Sequence, residues 1–172
     1  MKRQVIVAVV YLSIGSNMDD PEGSVAGAIG EILKDEGVEL IGQGGYYETE
    51  PQGKLDQPWF VNTAVALKVD FSAGAVLDKI KEIENKMGRK RSVKWGPRKI
   101  DIDIIFYDDL IVDTADLKIP HPLAAERRFV LQPLKDIDPD LTHPKLGKTV
   151  SELLNEIPED RQRMRKIGRH KE

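Results

Sequence analysis

An α+β fold built on one sheet is predicted for this chain by three observations. β-branched runs of strand length recur along it, two intervening stretches carry apolar residues at helical spacing behind a capping residue, and glycines punctuate the ends. The first run, Val5 to Ile14, reads as a buried strand ending at Gly15. Lys2 and Arg3 ahead of it imitate a signal peptide. No small-residue cleavage pattern follows, however, and the run is shorter than the ~18 apolar residues of a membrane span. "NMDDPEG" supplies a helix start, with Asp19 or Asp20 as cap and Pro21 where its missing N–H is harmless. Val25, Ile29, Ile32 and Leu33 form the apolar stripe, and Gly37 closes the helix. Val38 to Tyr47 and Val61 to Val69 read as strands separated by "ETEPQGKLDQPWF", a polar loop long enough to carry a function. Ser72 caps a second helix whose Val76, Ile80, Ile83 and Met87 face inward, with Gly88 as its stop. Ile100 to Tyr107 is the fourth strand.

That order is βαββαβ, which predicts a sandwich of ferredoxin-like type with the helices on one face of the sheet. "HPLAAERRF" and "TVSELLNEI" are expected as short C-terminal helices, and the basic end "RQRMRKIGRHK" as a solvated, frayed tail. A single domain is expected over residues 1–172, with a core at about 4–158 and the tail at 159–172. Composition agrees: 172 residues, 40% hydrophobic and 32% charged, suit one buried core and sit far from disordered sequence. With 26 basic against 29 acidic residues, the chain has no overall charge that would draw it to nucleic acid or anionic lipid, so neither is expected as a partner. The absence of cysteine removes disulfides, thiolate metal sites and cysteine nucleophiles, and fits a reducing compartment; the cytoplasm is the expected location.

The segment "KWGPRKIDIDIIFYDD" holds a conflict, because a run that wants burial carries Asp101 and Asp103. Strand side chains alternate, so the two aspartates share one face while Ile100, Ile102 and Ile104 share the other. Their backbones lie ~6.6 Å apart, close enough for both carboxylates to reach one cation. Mg²⁺ suits such a pair, since it takes oxygen ligands and completes its shell with water and substrate phosphates. The plainer alternative is an edge strand with one wet face. Charge layout favours the cation. From Arg89 to Lys99 every charged residue is basic, and from Asp101 to Asp116 every one is acidic. A carboxylate-held metal beside guanidinium and ammonium groups is an arrangement that receives a polyphosphate. Gly96 and Pro97 fix the approach of the basic loop, and Trp95 gives it an apolar anchor that can close over a ligand.

At "KWGPRKIDIDII" the sequence resembles the signature of the 6-hydroxymethyl-7,8-dihydropterin pyrophosphokinase family: a basic residue, a spacer, Gly-Pro-Arg, two residues, and Asp-aliphatic-Asp before two aliphatics. The likeness extends to "YLSIGSN", "YYETEPQGKLDQPWFVNTAVAL", "IENKMGRKR" and "IPHPLAAERRFVLQPL", so it spans roughly Tyr11 to Leu134. The resemblance implies a ferredoxin-like fold with long mobile loops; a monomer is expected. It also implies transfer of pyrophosphate from ATP to the hydroxymethyl group of the reduced pterin, leaving AMP. By the same resemblance Asp101 and Asp103 hold two Mg²⁺ ions on the ATP phosphates, and Arg89 and Arg98 assist them. Glu84, Arg91, Lys94, Trp95, Arg98, Ile104, His121 and Arg127 are implied at ATP. Thr49, Pro51, Gln52, Phe60, Asn62, Trp95, Asp101 and Phe129 are implied at the pterin, with Phe60 and Phe129 sandwiching the ring. Three departures concern the loops: Phe60 stands where tyrosine is frequent, Glu50 and Gln52 where Pro and an aliphatic residue are common, and the stretch from Arg91 to Trp95 is one residue shorter than in some relatives.

Two other functions compete on the sequence alone. A metal-dependent nuclease or nucleotidyltransferase also gathers carboxylates near basic residues, but this chain offers no broad basic surface and no third strand carboxylate beside the pair. An RNA-binding sheet needs exposed aromatics on its central strands, and "NTAVALKVD" has none.

Overall fold

The structure, a computed structural model, describes residues 7–88 and 96–168. The chain opens with β1 (Ala8–Ser16), followed by helix α1 (Pro21–Ile32), whose Asp20 cap accepts a hydrogen bond from the Gly23 amide at 3.1 Å. The predicted strand from Val38 to Tyr47 is in fact two, β2 (Val38–Gln43) and β3 (Tyr46–Thr49), interrupted at Gly44 and Gly45. Close approach to a neighbouring helix explains the break: a Cβ on Gly44 would lie 2.5 Å from the Pro133 carbonyl oxygen. β4 (Phe60–Val69) and helix α2 (Ala73–Lys86) follow, α2 capped by Ser72 as expected. The chain then passes through β5 (Asp101–Tyr107), the short pair β6 (Val112–Asp113) and β7 (Lys118–Ile119), helices α3 (Arg128–Ile137) and α4 (Val150–Asn155), and β8 (Met164–Ile167).

One antiparallel sheet of six strands runs in the order β5-β1-β4-β3-β8, with β2 beside β3's position on β4. On its first face, Val10, Leu12 and Ile14 of β1, Val65 and Leu67 of β4, and Ile102 and Ile104 of β5 pack against Val25 and Ile29 of α1 and Val76 and Ile80 of α2. The two helices of the βαββαβ core share this face as expected, and the C-terminal helices take the other. Val130, Leu131 and Leu134 of α3, with Val150, Leu153 and Leu154 of α4, close a second core over Ala64, Ile105 and Phe106 on the other face. A β-bulge makes this possible. Register slips between Tyr11 and Leu12, which pair with Phe106 and Ile104, so Ile105 is the extra residue and joins Phe106 in the second core.

The frayed tail is also corrected. Residues 164–167 pair with β3, Thr49 opposite Met164 and Glu48 opposite Arg165, and the latter two form an ion pair. β3 would otherwise present an unpaired edge. Glu48 of β3 and Glu50 just after it pair with Arg165 and Arg163, so the basic residues that argued for solvation complement an acidic edge where the strand pairs.

Candidate active site

Helices α3 and α4 cover only one end of the second face. At the uncovered end the register places Asn62 opposite Gly15 and Gly15 opposite Asp101, a row across β4, β1 and β5. Ser13 sits in the next row, opposite Asp103. Gly15 has no side chain, so the row has polar walls and a low floor; a Cβ there would overlap the Asn62 Oδ1. Adjacent strands lie ~4.8 Å apart, which separates the Asn62 and Asp101 backbones by ~10 Å. Above this floor opens a cavity of about 320 Å³.

Its lining joins most of the residues singled out in the sequence. Thr49, Gln52, Phe60, Asn62 and Phe129 stand with Arg98, Asp101, Asp103, His121 and Arg127 around the one cavity. Asn62 is 5% exposed and donates from Nδ2 to Thr49 Oγ1 at 2.7 Å, which fixes its carboxamide with the oxygen turned toward Gly15. Pro51 is buried nearby without lining the cavity. Ile104 packs into the first core, on the face away from the aspartates, so its side chain does not reach the cavity. Glu84 likewise lies under the strand rather than in the cavity: it is 6% exposed, and its Oε2 accepts from the Ile102 amide at 3.2 Å. That contact satisfies an outward amide of edge strand β5 between the two aspartates. Arg89, Arg91, Lys94 and Trp95 lie outside the described residues.

The conflict in β5 resolves by magnitude. Two carboxylates spaced like their backbones, ~6.6 Å, would repel by about 2.5 kcal/mol at an effective dielectric of ~20. Burying Ile102 and Ile104 on the opposite face contributes about 1.5–3 kcal/mol each, enough to hold the strand in place. Arg127 adds counter-charge. Burial pulls its guanidinium below the ordinary arginine value, but Asp103 and Asp101 oppose that pull, and it stays a cation. It also lies 5.5 Å from the centroid of the Phe129 ring. His121 behaves in the opposite way: burial and then the Arg127 charge push its pKa down to about 4, against a smaller upward pull from Asp101. Its Nδ1 accepts from the Leu123 amide at 3.2 Å, so the neutral ring carries its proton on Nε2. His121 therefore caps a turn and lines the cavity at once.

Sequence reading missed Ser13, Gly15 and Gln162, which line the cavity, and Asn17, which supports it. A signal existed in "YLSIGSN", where small Ser13 and Gly15 alternate with Leu12 and Ile14. Asn17 is 3% exposed and joins two loops. Its Nδ2 donates to Gln57 Oε1 and the Pro58 carbonyl, both at 2.9 Å, and its Oδ1 accepts from the Arg98 amide at 2.8 Å. Among the described residues no three His, Asp or Glu side chains gather into a closed metal cage. Two same-face carboxylates fit a hard cation that shares its shell with water and phosphate.

Residues 11–139 match the family model described as 7,8-dihydro-6-hydroxymethylpterin-pyrophosphokinase (HPPK). The chain is 39% identical over 147 residues to the 2-amino-4-hydroxy-6-hydroxymethyldihydropteridine pyrophosphokinase of Methylorubrum extorquens, covering 86% of this chain and 92% of that protein. It is 36% identical over 149 residues to the protein of the same name from Pseudomonas aeruginosa, covering 87% and 91%. Among solved structures, wild-type Plasmodium falciparum HPPK-DHPS with pteroate superposes with a TM-score of 0.71 at 17% identity, over 91% of this chain and 43% of that one. That likeness concerns the fold, a mixed α/β arrangement on an antiparallel sheet. With the profile spanning most of the chain and relatives matched nearly end to end, the chain belongs to the 7,8-dihydro-6-hydroxymethylpterin-pyrophosphokinase family.

Proposed function

We propose that the cavity above Asn62, Gly15 and Asp101 is where this pyrophosphokinase works, with the pterin at the Asn62 end and the ATP phosphates at the Asp101 end. The reaction itself follows from the family: pyrophosphate passes from ATP to the hydroxymethyl group of 6-hydroxymethyl-7,8-dihydropterin, in folate synthesis. This displaces the nuclease alternative. The hydroxyl oxygen bonds to the β-phosphorus and gives up its proton to solvent, while the bond to the α,β-bridging oxygen breaks and AMP leaves with that electron pair. Little covalent work falls to the protein, so its contribution is positioning and charge.

The observation that carries this placement is the row itself. An Asn carboxamide held by Thr49 offers an amide edge to the heterocycle, and Phe60 and Phe129 supply apolar surface to the ring. About 10 Å along the row, Asp101 and Asp103 supply the acidic end. Bound to those two carboxylates, Mg²⁺, two ions with ATP, would screen phosphate charge and stabilise the leaving AMP. Arg98 and Arg127, joined by Arg89, Arg91 and Lys94 of the basic loop, grip phosphate oxygens, and Trp95 closes over the ligands. Neutral His121 donates from Nε2 at the nucleotide end without adding charge. Glu84 and Ile104 act from beneath, holding β5. Pro51 and Gln52 shape the loop at the pterin. With β2 and β3 taken as one interrupted strand, the order fourth, first, third, second supports the ferredoxin-like reading of the sheet. A cytoplasmic monomer working apart from membranes and nucleic acid completes the reading; no described helix is long and apolar enough to cross a membrane.

The test is product analysis. Protein, ATP, Mg²⁺ and the reduced hydroxymethylpterin should yield AMP, chelation should stop the reaction and added Mg²⁺ should restore it. ADP as the product, or turnover indifferent to chelation, would contradict the proposal.

A further inference from the structure

We propose that Gln162, just ahead of β8, is a positioning residue for the pterin end of the cavity; the proposal rests on the placement of the pterin given above. Gln162 lies beyond residues 11–139, which carry the family match, and in a tail whose sequence reads as solvated. It is nonetheless 2% exposed and lines the cavity. Its carboxamide is spent on two main-chain groups from separate segments that line the cavity. Nε2 donates to the Glu50 carbonyl at 2.8 Å, and Oε1 accepts from the Phe129 amide at 3.1 Å. One wall carries Thr49 and Gln52, the other carries the Phe129 ring. A single planar amide therefore sets the separation between them, and glutamine is suited to this because it donates and accepts from one rigid group.

Neighbouring contacts hold Gln162 itself. Its carbonyl accepts from Arg128 Nη1 at 2.8 Å. Arg163 donates its amide to Glu50 Oε2 at 3.0 Å and its guanidinium to Glu50 Oε1 at 3.3 Å, and it sits 5.4 Å from the Trp59 ring centroid. These contacts account for a departure from the family pattern: Glu50 replaces the usual proline and docks its loop onto the C-terminal segment. The segment acts through the walls rather than by touching the reacting phosphates, so its loss should register on the pterin and spare the nucleotide.

The variants Gln162→Met and Gln162→Glu test this. Met keeps the volume and removes both hydrogen bonds, whereas Glu keeps the acceptor for the Phe129 amide and removes the donor to Glu50. Pterin is titrated calorimetrically into protein saturated with a non-hydrolysable ATP analogue, the analogue is titrated separately, and exchange of the Phe129 amide is followed by hydrogen–deuterium NMR. Gln162→Met should weaken pterin binding about tenfold, leave analogue affinity within about twofold, and speed Phe129 exchange. Gln162→Glu should keep that amide protected and still bind pterin less tightly than the unmodified protein. Pterin affinity unchanged in both variants would overturn the proposal, as would equal weakening of both ligands with a lowered Tm, which marks a purely structural role. Failure of the unmodified protein to bind pterin would instead remove the pterin placement, and this proposal with it.

Discussion

Replacing Asn17 with alanine should loosen two walls of the cavity at once. The Asn17 side chain makes three hydrogen bonds of 2.8–2.9 Å, to Gln57, Pro58 and Arg98, and is 3% exposed. At a net ~1 kcal/mol per bond, their removal should destabilise the fold by about 3 kcal/mol. For a chain of this length that corresponds to a fall in Tm of about 6–12 °C. The bond from the Asn17 amide to the Arg98 carbonyl at 3.0 Å survives the substitution, so the 96–98 segment should stay attached and the loss should not exceed this sum. Urea unfolding gives the stability, and a turnover assay gives the consequence for Arg98, whose displacement should lower kcat. Asn17→Asp, which keeps the acceptor for Arg98, should lose less of both. A loss under about 0.5 kcal/mol with normal turnover would mean that the Asn17 side chain holds neither loop in place.

Three further outcomes follow from the site. Asp101→Asn or Asp103→Asn should leave the fold intact, with Tm no lower than the parent's because carboxylate repulsion is relieved, and lower kcat by about 10²–10³, as removal of one preorganised charge partner does; near-normal turnover would cancel the metal assignment. His121 has its pKa lowered to about 4, so the unfolded chain binds more protons than the folded one between that value and the ordinary 6.5. The stability this gives is present above pH 6.5 and is lost as pH falls toward 4. The Tm of the parent minus that of His121→Gln should therefore fall across that window, with His143 and the carboxylates titrating equally in both, and a flat difference would contradict the burial of a neutral ring. Gly15→Ala should push Asn62 off Thr49 and weaken pterin binding about tenfold or more while ATP-analogue affinity holds, as read by calorimetry; unchanged pterin affinity would place the ring elsewhere.

The elements that were legible in sequence were those with a local cause. Ser72 caps its helix as expected, and of the two candidates Asp19 and Asp20 it is Asp20 that caps the first, because a cap needs only its own neighbours. The alternation in "IDIDII" gave the split between core face and acidic face correctly. Longer-range causes were not legible. The break at Gly44 depends on Pro133, some ninety residues on, and the bulge at Ile105 depends on a helical layer the strand itself does not encode. β8 was misread because basic residues look solvated until the acidic edge of β3 is beside them. For the same reason Gln162 and Asn17 went unseen, each being meaningful only through partners in distant segments. Ile104 and Glu84, implied at the nucleotide, turned out to lie on the far side of the strand that carries the carboxylates.

The most direct test of the account is a crystal structure with Mg²⁺, a non-hydrolysable ATP analogue and the reduced pterin. Metal between the Asp101 and Asp103 oxygens and the triphosphate, with the pterin against Asn62, is the result predicted. A triphosphate bound away from those carboxylates, with both facing solvent, would contradict it.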